Sequence, residues 1–386
     1  MLIDRVILLS TLGLRYRRVK AEERLSALDA LRGLAALAVV LFHIPSALRN
    51  AAGVPPWLEV LFANGFLGVD VFFVLSGFVI AMSMRSGPWD LGFLGRFGLR
   101  RSLRLDPPYW TAICVEVFLG WLGVTYLNAP PYAFPTPAGV AAHFTYTQGL
   151  LGYPHISDVF WTLCYEIQFY LVLVSLVVLA HLRPIRSRIS PRYALGAALL
   201  LLVGWSLLIR SGFLLSPWTG LALERVYQFG AGVLVYLCVR ETVTVRVALT
   251  GLAAITVARL AGGGGKDVVA MLMACGVCYG SARYAIVNRL AQWRPLQFLG
   301  RTSYSLYLFH ASVVGRVSSL ALSRISLDAG PIIFAAVLCG AVLSSIIFSA
   351  LMHHAIELPS LVFSRRIRLW VTPRPTGDGR DLTHVQ

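Results

Sequence analysis

Residues 36–45 read ALAVVLFHIP, an apolar run that carries one ionisable side chain, His43, and ends at a proline. Apolar runs of 18 or more residues recur along the whole 386-residue chain. A helix of that length can cross a hydrocarbon core about 30 Å thick. The sequence therefore predicts that His43 lies in a membrane-spanning helix, where an ionisable group needs a reason to be present.

The composition supports a membrane protein along the whole chain. Hydrophobic residues make up 57% of the sequence and charged residues 13%, with a mean hydropathy of +0.71. Soluble domains are about half apolar and about one quarter charged. We therefore predict an all-α, polytopic membrane protein with about ten spans. The predicted spans are 30–48, 65–84, 108–127, 159–182, 193–211, 218–239, 245–261, 268–285, 303–321 and 331–353.

The distribution of basic residues predicts the orientation of the chain. The net charge is +16, and most arginines lie before the first span, in alternate turns and in the C-terminal tail. The opposite turns contain only Arg49, Lys266 and Arg324. By the positive-inside rule, both termini are predicted to be cytoplasmic. The excess of basic residues is then explained by the topology of the chain and by contact with the lipid bilayer rather than by binding of nucleic acid. The cell (inner) membrane is the expected location.

Three parts are expected along the chain. Residues 1–26 form a basic N-terminal segment, 27–360 a membrane domain, and 361–386 a basic cytoplasmic tail. The apolar stretch Val6 to Leu14 is short and is followed by RYRRVK (15–20) instead of a small-residue cleavage site. It is therefore interpreted as an amphipathic helix at the membrane surface rather than a cleaved signal.

The longest predicted non-spanning segment, 129–158, is rich in proline and aromatic residues and has no lysine or arginine. A long, uncharged loop of this kind fits a lid or sugar platform on the outer side. It fits a re-entrant plug equally well, and the sequence leaves both alternatives open.

Several ionisable residues fall inside predicted spans, where such groups by default mark a pathway or a site. At about 1.5 Å per residue, His43, Asp70, Glu166 and Glu224 share a level slightly outside the midplane. The other candidates are Arg32, Glu116, Arg225, His310 and Arg316. Arg32 and His43 are close to three helical turns apart, so they are expected on one face.

The stretch RRSLRLDPPYW (100–110) places Arg101 and Arg104 at the predicted cytoplasmic entry of the third span. Guanidinium groups bind phosphates in a bidentate manner, so a phosphorylated donor arriving from the cytosol would suit this pair. The alternative is that both arginines only fix topology and contact lipid phosphates.

Several stretches together resemble the acyltransferase 3 family of integral-membrane, acyl-CoA-dependent O-acyltransferases. In chain order they are LDALRGLAALAVVLFHI (27–44), GFLGVDVFFVLSGFVIA (65–81), RRSLRLDPPYW (100–110), FWTLCYEIQFYLVL (160–173), ERVYQFGAGVLVYL (224–237), LGRTSYSLYLFHA (299–311) and IELP (356–359).

The resemblance implies roles for individual residues. Its arginine–histidine motif falls on Arg32 and His43, with His43 catalytic. Its Ser-Gly-Phe element begins at Ser76, and its arginine pair, associated with the acyl donor, falls on Arg101 and Arg104. Its tryptophan-to-glutamate stretch falls on Trp161 and Glu166, although Ile167 replaces the second acid of the common family form.

The resulting hypothesis is an enzyme that moves an acyl group, acetyl or another short one, from acyl-CoA to a sugar hydroxyl of an envelope polysaccharide or glycolipid. His43 acts as general base or carries the acyl group, and Asp70 or Glu166 orients it. Acyl-CoA is the donor substrate, and no cofactor or metal is expected. The oligomeric state is not predicted.

Three alternatives remain open from the sequence. The same chemistry could acylate a small glycosylated metabolite. A proton-coupled secondary transporter could use the intramembrane carboxylates, although no inverted repeat is visible. A membrane scaffold without chemistry would tolerate substitution of these residues.

Overall fold

A computed structural model of the protein describes residues 25–44, 56–85, 87–126, 133–322 and 331–369. These residues form an all-helical structure without β-strands, as predicted. The N-terminal segment predicted to be amphipathic and most of the basic tail lie outside the described residues.

Fifteen α-helices are present in the described ranges, together with a 3₁₀ turn at Ala222–Arg225 and a π-helical turn at His353–Glu357. In chain order the α-helices are α1 (Ser26–Phe42), α2 (Pro56–Asn64), α3 (Leu67–Ser83), α4 (Leu91–Tyr126), α5 (Pro137–Phe144), α6 (Trp161–His181), α7 (Arg183–Arg186), α8 (Pro191–Arg210), α9 (Val226–Val239), α10 (Val245–Ala261), α11 (Lys266–Arg283), α12 (Ala285–Leu290), α13 (Arg294–Leu322), α14 (Pro331–Met352) and α15 (Leu358–Ser364).

A helix overlaps each of the ten predicted spans. Among the described residues, five helical stretches are long and apolar enough to cross a membrane, and α2 with α3 makes a sixth if this pair, bent by 51°, is one span. The five are Leu91–Tyr126, Trp161–His181, Pro191–Arg210, Ala222–Val239 and Ile332–Ser364. The chain is therefore a multi-pass membrane protein, while the count of ten spans and the cytoplasmic termini remain predictions.

The first helix ends earlier than the sequence pattern predicts. The expected span 30–48 places His43 inside a helix, whereas α1 ends at Phe42 and His43 is its C-cap. The cause is local: the His43 ring Nδ1 lies 2.9 Å from the Val39 carbonyl oxygen and satisfies one of the terminal carbonyls of α1. The following Pro45 also disfavours helical geometry at Ile44.

Glycines allow the central helices to approach closely. A Cβ on Gly33 of α1 would lie 2.7 Å from the backbone nitrogen of Gly300 on α13. A Cβ on Gly77 of α3 would lie 2.0 Å from the carbonyl oxygen of Phe229 on α9. Small residues at crossings permit such backbone contact between membrane helices. As a result, α1 places Arg32 and His43 directly beside α13.

The described part of the 129–158 segment packs into the helical body. The Tyr146 hydroxyl donates to Asp106 Oδ1 at 2.9 Å, and the Gln148 amide donates to the Tyr109 hydroxyl at 3.1 Å. The rings of Tyr109 and Tyr146 stack with centroids 4.5 Å apart. These buried contacts with α4 argue against a lid, because a lid must be able to leave the surface that it covers, while the sugar platform and the plug both remain predictions.

Candidate active site

One cavity lies between α1, α3, α4, α6 and α13, and it collects most of the predicted site residues. It contains about 790 Å³ of empty volume, part of it open to solvent. The predicted residues that line it are Arg32, Ser76, Arg101, Arg104 and Glu166.

Arg32, Arg101 and Arg104 form a cationic cluster at one end of this cavity. They interact electrostatically with one another. Among the described residues, no carboxylate lies within ion-pairing distance of any of the three. Glu166 acts electrostatically on Arg101 and Arg104, and Glu357 acts on Arg104, from beyond that distance. Like charges held together without a directly paired carboxylate suit an anionic ligand that binds several guanidinium groups.

Glu166 is held by two hydroxyl groups rather than by an arginine. Ser76 Oγ donates to Glu166 Oε1 at 2.6 Å, and the Tyr170 hydroxyl donates to the same oxygen in a short hydrogen bond. The Arg101 guanidinium lies 4.5 Å from the centre of the Tyr170 ring, in a cation–π contact. One polar wall of the cavity, next to the arginines, is thus formed by Ser76, Glu166 and Tyr170.

Aromatic side chains close the cavity at the other end. Phe72 of α3 and Tyr307 of α13 meet edge to face, with centroids 5.5 Å apart. The hydroxyl groups of Tyr307 and Thr162 are 2.7 Å apart, which fixes the Tyr307 ring.

His43 lies beyond this aromatic end, beside the fully buried His310 of α13. His310 Nε2 is 3.3 Å from His43 Nδ1, and the His310 ring is 6.0 Å from that of Tyr307. His310 Nδ1 lies 2.9 Å from the Tyr307 carbonyl and 3.1 Å from that of Leu306.

The neighbouring carbonyls assign the tautomers of both rings. A carbonyl oxygen can only accept, so His310 Nδ1 carries the proton and His310 Nε2 is an acceptor. By the same argument, His43 Nδ1 carries the proton that faces both Val39 and His310. The lone pair of His43 is then on Nε2, which has no partner among the described residues.

The expected orienting contact between His43 and Asp70 or Glu166 is absent. Asp70 is buried, and its Oδ1 accepts from Arg225 at 3.0 Å and from Gln228 at 2.6 Å, both near the start of α9. Glu166 is bound by Ser76 and Tyr170. The prediction was wrong because depth along a helix says nothing about rotation around it, and Asp70 points toward α9.

Trp161 does not line the cavity. Its ring packs against Phe73 at 6.3 Å and Tyr165 at 5.3 Å between centroids. Phe73 itself lines the cavity, so Trp161 supports the wall from behind.

Sequence reasoning missed several residues that the structure places at the site. They are Tyr170, Tyr304 and Tyr307, which line the cavity. His310, an intramembrane candidate without a predicted role, contacts His43. The available signal for Tyr304 and Tyr307 was their position in LGRTSYSLYLFHA (299–311). In the described part of the chain, no group of three or more His, Cys, Asp or Glu residues is arranged to hold a metal ion.

The comparison with known families covers the segments that form this cavity. The profile of the family described as an acyltransferase domain matches residues 25–350, which include every lining residue named above. The chain belongs to this acyltransferase family. Family membership makes it an acyltransferase that moves groups other than aminoacyl groups.

Three relatives illustrate the family. BcsY of Komagataeibacter xylinus, provisionally named a membrane-bound transacylase, is 28% identical over 73% of this chain and 71% of its own length. YrhL of Bacillus subtilis, provisionally named a peptidoglycan O-acetyltransferase, is 26% identical over 92% of this chain and 60% of its own length. The peptidoglycan O-acetyltransferase OatA of Listeria monocytogenes is 24% identical over 75% of this chain and 49% of its own length.

The chain thus spans 60% of the length of YrhL and 49% of the length of OatA. No solved structure matches the chain significantly.

Proposed function

We propose that the protein is a membrane O-acyltransferase that moves a short acyl group, such as acetyl, from acyl-CoA to a sugar hydroxyl of an envelope polysaccharide or glycolipid. The single observation that carries this proposal is the unpaired cluster of Arg32, Arg101 and Arg104 in the cavity that leads toward His43. The peptidoglycan O-acetyltransferases among the relatives support the choice of acceptor.

The distance between the arginine cluster and His43 suits acyl-CoA as donor. Arg32 and His43 are 11 residues apart in sequence, which corresponds to about 16 Å along α1. In acyl-CoA, the long pantetheine arm separates the phosphates from the thioester. Phosphates bound by the arginines would therefore place the thioester at the aromatic end of the cavity, and Phe72 and Tyr307 would have to move aside for it to reach His43.

In the proposed reaction, His43 Nε2 accepts the proton of the acceptor hydroxyl. The hydroxyl oxygen attacks the thioester carbonyl, and an ester bond forms as the carbon–sulfur bond breaks. The imidazolium then returns its proton to the departing coenzyme A thiolate. His310 Nε2 and the Val39 carbonyl both accept from the charged His43 ring and stabilise it, the part taken by a carboxylate in many catalytic dyads.

The test is direct transfer by the purified protein in lipid nanodiscs, with radiolabelled acetyl-CoA and a choice of acceptors. We expect label in an envelope saccharide with wild-type protein and a loss of at least about 100-fold with His43→Ala, in line with the usual contribution of a general base. His354→Ala is the matched control, because His354 is an exposed histidine outside the cavity.

Equal rates for wild type and His43→Ala would refute the mechanism. If the label appeared in a small glycosylated metabolite and not in envelope saccharide, the proposed acceptor would be wrong, but the proposed transfer reaction would stand. Proton-driven uptake of substrate into vesicles without any acyl transfer would instead identify a transporter.

A further inference from the structure

A second large cleft lies between α3, α6, α8 and α9, and the proposed reaction does not use it. It contains about 1050 Å³ of empty volume, part of it open to solvent. It shares no lining residue with the active-site cavity. We name it the basic cleft, for the three arginines Arg85, Arg192 and Arg240 that line it.

The three arginines lie at the same end of the cleft. Arg85 follows the end of α3, Arg192 is in the first turn of α8, and Arg240 is the C-cap of α9. Arg85 and Arg240 both act electrostatically on the Tyr236 hydroxyl. Among the described residues, Arg192 and Arg240 have no carboxylate within ion-pairing distance. In the described part of the chain, Arg192 and Arg240 therefore add cationic charge to the mouth without a carboxylate paired to either of them.

The walls become apolar away from this mouth on three separate helices. Leu199 lies seven residues after Arg192 on α8, Val233 lies seven before Arg240 on α9, and Leu173 lies eight before His181 on α6. These separations correspond to about 10–12 Å of apolar depth. The basic cleft is therefore amphipathic along the helix axes.

The indole ring of Trp89 indicates the depth in the membrane at which the mouth of the cleft lies. The rings of Trp89 and His181 pack in a tilted contact with centroids 4.3 Å apart, and both residues line the cleft. Tryptophan concentrates at the level of lipid headgroups, where its ring is both apolar and a hydrogen-bond donor. Trp89 and the arginines together suit a mouth at the level of the headgroups of one leaflet.

We propose that the basic cleft is a binding site for an anionic phospholipid. The phosphate headgroup binds Arg192 and Arg240, with Arg85 adjacent, and one acyl chain fills the apolar depth along Leu199, Val233 and Leu173. Charge complementarity selects this occupant, since a zwitterionic lipid carries its own cation to the arginines. A free phosphate would leave the apolar walls uncovered.

The test measures lipid binding by native mass spectrometry of the full-length protein, with phosphatidylglycerol and phosphatidylcholine compared at equal concentration. We expect one tightly bound phosphatidylglycerol per chain, and at least tenfold weaker binding of it by the double variant Arg192→Gln/Arg240→Gln. Arg183→Gln/Arg186→Gln is the matched control, because it removes two exposed arginines of the neighbouring α7, outside the cleft. This control should bind like wild type.

A second variant tests the apolar part separately. Leu199→Trp fills the depth of the cleft while leaving both arginines, and we expect it to lose the bound lipid to a similar extent. Equal binding of the two lipids by wild type, or equal losses in the double variant and its control, would overturn the proposal. Displacement of the lipid by stoichiometric acetyl-CoA would also overturn it, and would assign the cleft to the donor instead.

Discussion

His43 Nδ1 and His310 Nε2 face each other at 3.3 Å across the contact between α1 and α13. The carbonyls of Leu306 and Tyr307 hold the proton of His310 on Nδ1, so its Nε2 can only accept from His43. Two residues that are 267 positions apart thus form a dyad in which a neutral imidazole orients the candidate base.

The first prediction concerns His310 Nε2, the hydrogen-bond acceptor that faces His43. His310→Phe removes it, and we expect acyl transfer to fall about ten- to a hundredfold, because a hydrogen bond to a charged group contributes about 1.5–3 kcal/mol. His310→Gln returns an acceptor oxygen and should recover most of the rate. Initial rates at saturating donor and acceptor measure both effects.

A second substitution separates orientation of His43 from mere packing. His310→Glu keeps an acceptor oxygen toward His43 Nδ1, so its rate of acyl transfer should stay well above that of His310→Phe. Equal rates in folded His310→Glu and His310→Phe proteins would contradict the orienting role.

The second prediction assigns Asp70 to stability rather than to catalysis. Asp70→Asn leaves Arg225 without its counter-charge in a largely buried pair, and we expect a loss of about 3 kcal/mol in the free energy of unfolding. Arg225 keeps 22% of its side chain exposed, which places the effect at the low end for buried pairs. Donor KM and the rate per folded molecule should stay at wild-type values.

Asp90→Asn provides the comparison for that variant. Asp90 pairs with Arg96 at 3.4 Å, but 58% of the Asp90 side chain is exposed. Exposed pairs contribute about 0–1 kcal/mol, so this change should barely alter thermal unfolding in detergent. A loss of catalysis in Asp70→Asn without a loss of stability would return Asp70 to the active site.

The sequence was sufficient for the helical class and for the group of Arg32, Ser76, Arg101, Arg104 and Glu166. Their segments carry strong apolar patterns, and the motifs come in the order of the family. Length and hydropathy locate helices because each must satisfy its own backbone hydrogen bonds in lipid.

The partners of those residues could not be predicted in the same way. Whether Asp70 faces His43 or Arg225 depends on rotation about α3, which follows from close contacts such as Gly77 against Phe229. The end of α1 at Phe42 depends on a cap by the His43 ring itself. Such features arise from packing between helices, and hydropathy contains no information on them.

The third prediction is a pH effect on the segment after α4. Burial lowers the pKa of His143, and the neighbouring His155 lowers it further. His143 Nδ1 donates to the Gly139 carbonyl at 2.7 Å, and its Nε2 accepts from the Ile156 amide at 3.1 Å, an arrangement that requires the neutral ring.

The direction of this effect follows from proton uptake. The unfolded segment binds a proton near pH 6.5, whereas the folded segment does so only at lower pH. Stability is therefore complete above about pH 6.5 and is lost as the pH falls below it. The rate of amide hydrogen exchange at Ile156, corrected for the intrinsic rate at each pH, should rise as the pH is lowered from about 7.5 to about 5.5. His143→Phe should abolish this dependence, and unchanged protection in wild type would contradict it.

The last prediction distinguishes the two roles considered for the arginine pair. If Arg104 only fixes topology, lysine supplies the same charge, and Arg104→Lys should behave like wild type. If Arg104 binds coenzyme A phosphates, lysine cannot reproduce the planar bidentate contact. Because Arg104 lines the cavity without a carboxylate partner, we expect donor KM to rise at least about tenfold, with acceptor KM unchanged. Arg96→Lys on the same helix is the control, since Arg96 pairs with the exposed Asp90. Cysteine accessibility would verify insertion of both variants, and equal donor KM values would leave Arg104 with a topological role only.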